Sequence, residues 1–357
     1  MKNLICIICV ILFSVSCAGT NKEKVSTETA TTTANTEEAV KEVKNVKMIY
    51  DTDLGIDDAM ALAYALGSPN IDLVGVTLTF GNVSTETSGR NTLDILSLLN
   101  REDIPVYAGA LHSYSDNATF LPAAAIKRIH GDNGIGNVQL PTSKKTVEKQ
   151  SAVDFIIESA NKYGKDLVIV AVGPVTNLQD ALKKEPKLKD MVGNIVIMGG
   201  ALTVPGNVSE VAEANIYADP VAANELFTSE TPFTMVGLDV TVRARLTKED
   251  TKKWRDLGTA SGKAFADIVD YYIGISSSAS CALHDPLAVA VAVHPELIET
   301  ISMHMFVGTS KENLGRTTGD KTKLNDPNPN VKVGVNLDYQ KFLADFNTVL
   351  TELFKKN

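Results

Sequence analysis

The sequence predicts an α/β fold: a mostly parallel central sheet of the open, Rossmann-like kind, with helices on both faces and a site at the carboxyl ends of its strands. Three observations predict it. Short runs that are apolar throughout recur along the chain, helical patterns separate them, and acidic or glycine-containing segments follow several runs directly. Strands without a polar face must be covered on both sides, and parallel neighbours need a crossover long enough to hold a helix.

The elements follow in order. "VKMIY" reads as a buried strand ahead of a helix over 57–67, "IDLVGVTLT" precedes a helix at about 85–99, and "DLVIVAV" precedes one at about 175–184. "NIVIMGG" and "FTMVGLD" are further buried strands, with a helix from about 219 between them. Ser151 with Asp154, and Thr247 with Asp250, have the spacing of capping boxes. Asp219-Pro220 and Asp285-Pro286 each place Asp where a helix cap belongs and Pro in the first turn. Ligands of open parallel sheets sit beyond the carboxyl ends of the strands. "DTDLGIDD" and "VGPVTN" lie at two such ends, and "MGG" closes a third.

Composition narrows the class of function. The chain has 357 residues, 44% hydrophobic and 22% charged, the proportions of a globular protein. A formal net charge of −9 argues against nucleic acid or an anionic membrane surface as a partner. Residues 1–17 differ from the rest: Lys2 is a positive start, Leu4–Phe13 is apolar, and small residues lead to Cys17, the pattern of an export signal. Cys17, between Ser16 and Ala18, resembles the lipobox cysteine of bacterial lipoproteins, with Ser14 where Leu is more usual. On that reading Cys17 carries lipid, Cys6 and Cys9 leave with the signal, and Cys281 is the remaining thiol, so no disulfide forms within the mature chain. Residues 18–45 are rich in Thr, Lys, Glu and Ala without an aromatic residue, and read as a flexible tether. Residues 46–357 are expected to form one domain, exported and held to a bacterial membrane through the lipid alone, facing the periplasm or cell surface.

The stretch "KMIYDTDLGIDDAMALAYAL" crowds Asp51, Asp53, Asp57 and Asp58 where a strand ends and a helix begins. Like charges this close raise one another's pKa or demand a cation. Helix capping accounts for Asp57 and Asp58, but not for Asp51 and Asp53. An EF-hand fails, because Leu62 holds the twelfth position counted from Asp51. "DTD" after a strand also fits an aspartyl-phosphate phosphatase with "GDKTKLND" (319–326) as its distal acidic motif. There that motif follows a buried strand, whereas "GRTTGD" is polar. In "CALHDPLAVAVAVHP", His284 and Asp285 offer a proton donor beside a hard oxygen ligand; in "GNVSEVAEANIYADP", Asn207, Glu213 and Asn215 suit the hydroxyls of a sugar.

Together "DTDLGIDDAMAL", "TLTFGN", "YAGA", "IHGDNGIGN", "VAVGPVTNL", "IVIMGGA", "AEANIYADP", "GLDVT" and "LHDPLAVA" resemble, in the same order, the motifs of the inosine-uridine preferring nucleoside hydrolases. The resemblance covers most of the chain after residue 46. It implies Ca²⁺-dependent hydrolysis of the N-ribosidic bond of nucleosides to ribose and free base. By resemblance Asp53, Asp58, the backbone carbonyl of Val172 and Asp285 hold the ion, the positive charge that the acidic stretch lacks. Asp53 then takes a proton from the attacking water, His284 is the acid for the departing base, and Asp57 holds a ribose hydroxyl. Asn82, Met198, Asn207, Glu213 and Asn215 match ribose-contacting positions, and His130 matches a mobile loop over the base. Asp51 matches as a support of the site. A homodimer or homotetramer is implied as well.

Ala214 departs from the family, which often has an aromatic residue there; Tyr271 and Tyr272 lie upstream of His284, where base-facing residues occur. His112, His294 and His304 fall outside the motifs and read as structural. A different class of function also suits a tether and a polar pocket: a nucleoside- or sugar-binding lipoprotein that serves uptake without cleavage. Asp53, Asp58 and Asp285 together with His284 favour the hydrolase, since a receptor needs neither an activated water nor an acid.

Overall fold

Residues Val46–Thr52 form β1, whose Met48, Ile49 and Tyr50 are all fully buried. The computed structural model describes residues 45–357; the expected signal segment 1–17 with Cys17, and the expected tether as far as residue 44, lie outside the described residues. After β1 come β2 (Ile71–Leu78), β3 (Val106–Ala108), β4 (Leu167–Ala171), β5 (Asn194–Met198) and β6 (Phe233–Val236). A short pair, β7 (Arg245–Leu246) and β8 (Cys281–Ala282), follows, then β9 (Ile298–Met303), the two-stranded β10 (Met305–Val307) and β11 (Thr317–Gly319), and β12 (Val331–Leu337). The main sheet has eight strands in the order β3-β2-β1-β4-β5-β6-β12-β9, parallel throughout except for β9 at one edge. This is the predicted α/β sheet, with helices packed around it.

Alternation along β1 feeds two apolar layers. Met48 and Tyr50 join the layer containing Leu62, Val170 and Leu287, whereas Ile49 joins Ile169, Ile197 and Leu178 on the other face. Helix Ile56–Gly67 belongs to the first layer and packs against helices His284–Val293 and Tyr339–Lys355. Its Ala59, Met60, Ala61, Leu62 and Ala63 are all fully buried, as expected of a helix apolar on every side. The strand order places the functional crevice. From β1 the chain moves outward through β2 to β3, then returns to the opposite edge of β1 as β4 and continues through β5 to β6. Between β1 and β4 the connections leave in opposite directions, which opens a crevice at the strands' carboxyl ends.

Helices Ile56–Gly67, Thr85–Leu98, Thr176–Lys184 and Pro220–Thr228 occupy the expected positions. Ser151 Oγ accepts from Asp154 N at 3.1 Å, Thr247 and Asp250 make the capping box, and Asp219 Oδ1 accepts from Ala222 N at 3.1 Å. Two local expectations change. The helix carrying Asp285 starts at His284 with Leu283 as its cap residue, because Leu283 N is held by Ala244 O at 2.9 Å. Asp285 therefore lies in the first turn, and its carboxylate is directed to other acidic groups instead of capping. In "FTMVGLD" the strand stops at Val236, and Leu238–Thr241 turns into a short helix. Asp239 fixes that bend by accepting from Leu202 N (2.9 Å) and Thr203 N (2.6 Å).

Candidate active site

Asp53 leaves the end of β1 and enters the crevice, 1% exposed. Its Oδ2 accepts from the backbone N–H of Asn82 at 2.6 Å, while its buried Oδ1 has no hydrogen-bond partner among the described residues. Gly81 lets that contact form: its φ is +151°, and a Cβ there would lie 2.0 Å from Asp53 Oδ2. Asp58, fully buried in the first turn of helix Ile56–Gly67, accepts from Thr52 Oγ1 (2.6 Å), Gly55 N (2.9 Å) and Asn82 Nδ2 (2.9 Å). Capping thus explains part of Asp58. Its other neighbours are carboxylates: ligand atoms of Asp57, Asp58 and Asp285 lie within 4.8 Å of one another. Asp53 adjoins the same group, its pKa pushed well above the usual carboxylate range by burial and then by Asp58. Burial followed by the charge of Asp57 raises Asp285, and burial followed by Asp58 takes Asp57 to about 8. Four carboxylates crowded this way store unfavourable charge that a cation relieves.

Asp51 stays behind them. Buried on the strand, it accepts from Thr77 Oγ1 (2.5 Å) and Asn177 Nδ2 (2.7 Å), and burial raises it to about 6. Its backbone carbonyl takes the N–H of Val172 at 2.8 Å, so it aligns the end of β4 with the end of β1. The carbonyl of Val172 itself accepts from Asn215 Nδ2 at 2.7 Å; the same amide reaches Met198 O at 3.1 Å and Met198 Sδ at 3.3 Å. Glu213, 2% exposed, spends its carboxylate on the N–H groups of Gly200, Asn215 and Ile216, fixing the "AEANIY" turn against the end of β5. Asn207 Oδ1 holds Ala214 N at 3.0 Å, and Ala214 is exposed. The structure therefore gathers Val172, Met198, Glu213 and Asn215 in one network, with Asn207 one residue beyond it.

The two motif histidines border the acids, His130 near Asp58 and His284 next to Asp285 in the chain. His130 ends helix Ala124–His130, and its Nδ1 accepts the N–H of Ile56 at 3.1 Å, which leaves the proton of the neutral ring on Nε2. Burial takes its pKa down to about 4, against a weaker upward pull from Asp58. His284 Nδ1 lies 2.7 Å from Thr241 Oγ1; burial, then the charges of Arg245 and His130, lower it to about 4. His294 and His304 meet Glu296 and Asp326, and His112 meets its neighbour's carbonyl, all outside this crevice's network. Sequence reasoning passed over Thr241, Asn177 and Thr52. Each is a small uncharged polar residue whose partner lies elsewhere in the chain, and nothing local marks that partner.

Buried carboxylates able to hold a cation, at the switch point of a parallel α/β sheet and bordered by His130 and His284, have the make-up of an enzyme site. The sequence profile of the inosine-uridine preferring nucleoside hydrolases matches residues 48–344, and the chain belongs to that family. It is 35% identical over 302 residues to a pyrimidine-specific ribonucleoside hydrolase, RihA of Shigella boydii, spanning 83% of this chain and 95% of that protein. Uridine nucleosidase 1 of Arabidopsis thaliana is 34% identical over 292 residues, covering 80% of this chain and 86% of the relative. Among solved structures, a purine-preferring ribonucleoside hydrolase from Gardnerella vaginalis superposes with a TM-score of 0.85 at 49% identity, covering 87% of this chain and 100% of the other. The protein is accordingly an N-ribosyl hydrolase acting on nucleosides.

Proposed function

We propose that the enzyme cleaves the N-ribosidic bond with one Ca²⁺ held by Asp53, Asp58, Asp285 and the carbonyl of Val172. The observation that carries this reading is the buried Oδ1 of Asp53, without a hydrogen-bond partner among the described residues, beside the close group of Asp57, Asp58 and Asp285. An anionic oxygen buried without a partner is costly, and several hard oxygen donors at one point suit Ca²⁺. When bound, the ion supplies positive charge that neutralises the carboxylates and makes a nearby water more acidic. Asp53 takes the proton of that water as its oxygen attacks the anomeric carbon. Asp57 holds a ribose hydroxyl, and Asn82, Met198, Asn207, Glu213 and Asn215 surround the sugar. Carboxylate and amide oxygens stabilise the ribosyl group as it becomes cationic. His130 covers the base, and His284 gives it a proton at Nε2. At rest the half-buried His284 imidazole is neutral, its pKa lowered to about 4, so the acid role asks that it collect a proton in the substrate complex.

Incubation with inosine and uridine side by side, with free ribose assayed, tests the reading. Ribose from either nucleoside is the expected result; binding of both without release would favour the non-cleaving receptor. Two bases are needed because the relatives named above divide between pyrimidine and purine nucleosides, and Ala214 removes the aromatic side chain common at that position.

Two further outcomes follow from particular residues. A methyl group on Gly55 would lie 2.4 Å from His130 Nδ1 and 2.8 Å from Asn82 Nδ2, so both must move. Gly55→Ala is expected to lower kcat/KM about 100-fold, the scale of a misplaced catalytic constellation; wild-type steady-state kinetics would show that this seating is dispensable. The lipid anchor proposed at Cys17 is tested by fractionation. Cys17→Ser should release the enzyme from the membrane, and an unchanged detergent-extractable pool would defeat the lipobox reading.

A further inference from the structure

We propose that Thr241 is a positioning residue for His284, fixing the imidazole so that Nε2 is the nitrogen available to the departing base; the assignment rests on the hydrolase reading above. Thr241 is fully buried, and its Oγ1 lies 2.7 Å from His284 Nδ1. The two residues are 43 positions apart, and their approach is built into the backbone. Ala244 N bonds to Thr241 O at 3.3 Å, and Leu283 N bonds to Ala244 O at 2.9 Å. Just beyond, β7 pairs with β8, with Arg245 opposite Ala282 and Leu246 opposite Cys281. On its other side the Thr241 segment is tied down by Asp239, which accepts from Leu202 and Thr203. Main-chain bonds and the Asp239 carboxylate thus hold the two segments at the separation that the hydroxyl–imidazole contact needs.

A hydroxyl suits this position because it works with either state of the ring. It donates to a bare Nδ1 when the imidazole is neutral and accepts from Nδ1–H when it is protonated. In the cleavage step the C1′–N bond breaks with its electron pair on the base nitrogen. The proton from His284 Nε2 goes to the base, and the Nδ1 proton stays on the ring, bonded to Thr241 Oγ1. A side chain that could only donate would oppose the protonated ring, and an apolar one would leave Nδ1 unpaired.

The test compares Thr241→Val, which keeps shape and loses the hydroxyl, with Thr241→Ser, which keeps the hydroxyl. Each is assayed on inosine, whose base needs a proton, and on p-nitrophenyl riboside, whose leaving group departs as a stable anion. Thr241→Val should lose kcat on inosine by about 100-fold with KM nearly unchanged, and lose at most a few-fold on p-nitrophenyl riboside. Thr241→Ser should recover most of the inosine rate. With wild type active, an undiminished inosine rate in Thr241→Val, equal losses on both substrates, or a Thr241→Ser variant as slow as Thr241→Val overturns the role of Thr241 and leaves the hydrolase reading intact. A wild-type chain inactive on every nucleoside tried overturns the hydrolase reading instead. Thermal unfolding of both variants, matched to wild type, separates these outcomes from a failure to fold.

Discussion

Asp53→Asn is expected to depress turnover by about 10,000-fold, the upper end for loss of a general base, and to do so on inosine and p-nitrophenyl riboside alike. Water activation is common to both substrates, so the leaving group offers no escape. The substitution is otherwise mild. An amide oxygen can still accept the Asn82 N–H that Asp53 Oδ2 now holds at 2.6 Å. It also removes one of the crowded carboxylates, so the metal-free variant should unfold at or above the wild-type temperature. Thorough chelation should abolish turnover as well, and substitutions of Asp58 and Asp285 should weaken Ca²⁺ binding. Full activity in a verified metal-free sample would remove the mechanism. A brief chelator treatment without effect would not, since Asp53, Asp58 and Asp285 are at most 2% exposed.

His284→Ala separates the two halves of the chemistry. Inosine hydrolysis should slow by about 100- to 10,000-fold, the range for a lost general acid, whereas p-nitrophenyl riboside should be much less affected. Equal losses on the two substrates would make His284 a positioning residue. A normal inosine rate would move the acid role to His130 or to solvent.

The parts of this site legible in the sequence are those with a local signature. Asp51, Asp53, Asp57 and Asp58 announce themselves because four like charges sit between two apolar runs, and His284-Asp285 because both side chains are polar at the start of an apolar helix. The parallel strands were equally readable, being apolar on both faces. What could not be read is which strand neighbours which, and the switch point between β1 and β4 depends on that order alone. Nor could the long-range partners be read: Asn177 reaches Asp51 across 126 positions, and His130 reaches Ile56 across 74. The Asp285-Pro286 pattern misplaced a helix start by two residues for the same reason. The main-chain bond from Leu283 to Ala244, not the local Asp-Pro preference, sets where that helix begins.

Threading the sheet from its middle outward has a consequence for biosynthesis. β1 and the helix behind it are among the first folded-domain segments to leave a ribosome, yet the neighbours that enclose them come late. β4 begins at Leu167, and the helices packed on Ile56–Gly67 begin at His284 and Tyr339. A nascent chain therefore carries its acidic turn unfinished through most of its translation, because Asp285 has yet to emerge. Contacts of such sequence separation form slowly and together. Competence to capture a cation thus arises as an all-or-none property of the finished polypeptide. A chain cut before its final helix is expected to yield no partially working enzyme, only a substrate for proteolysis.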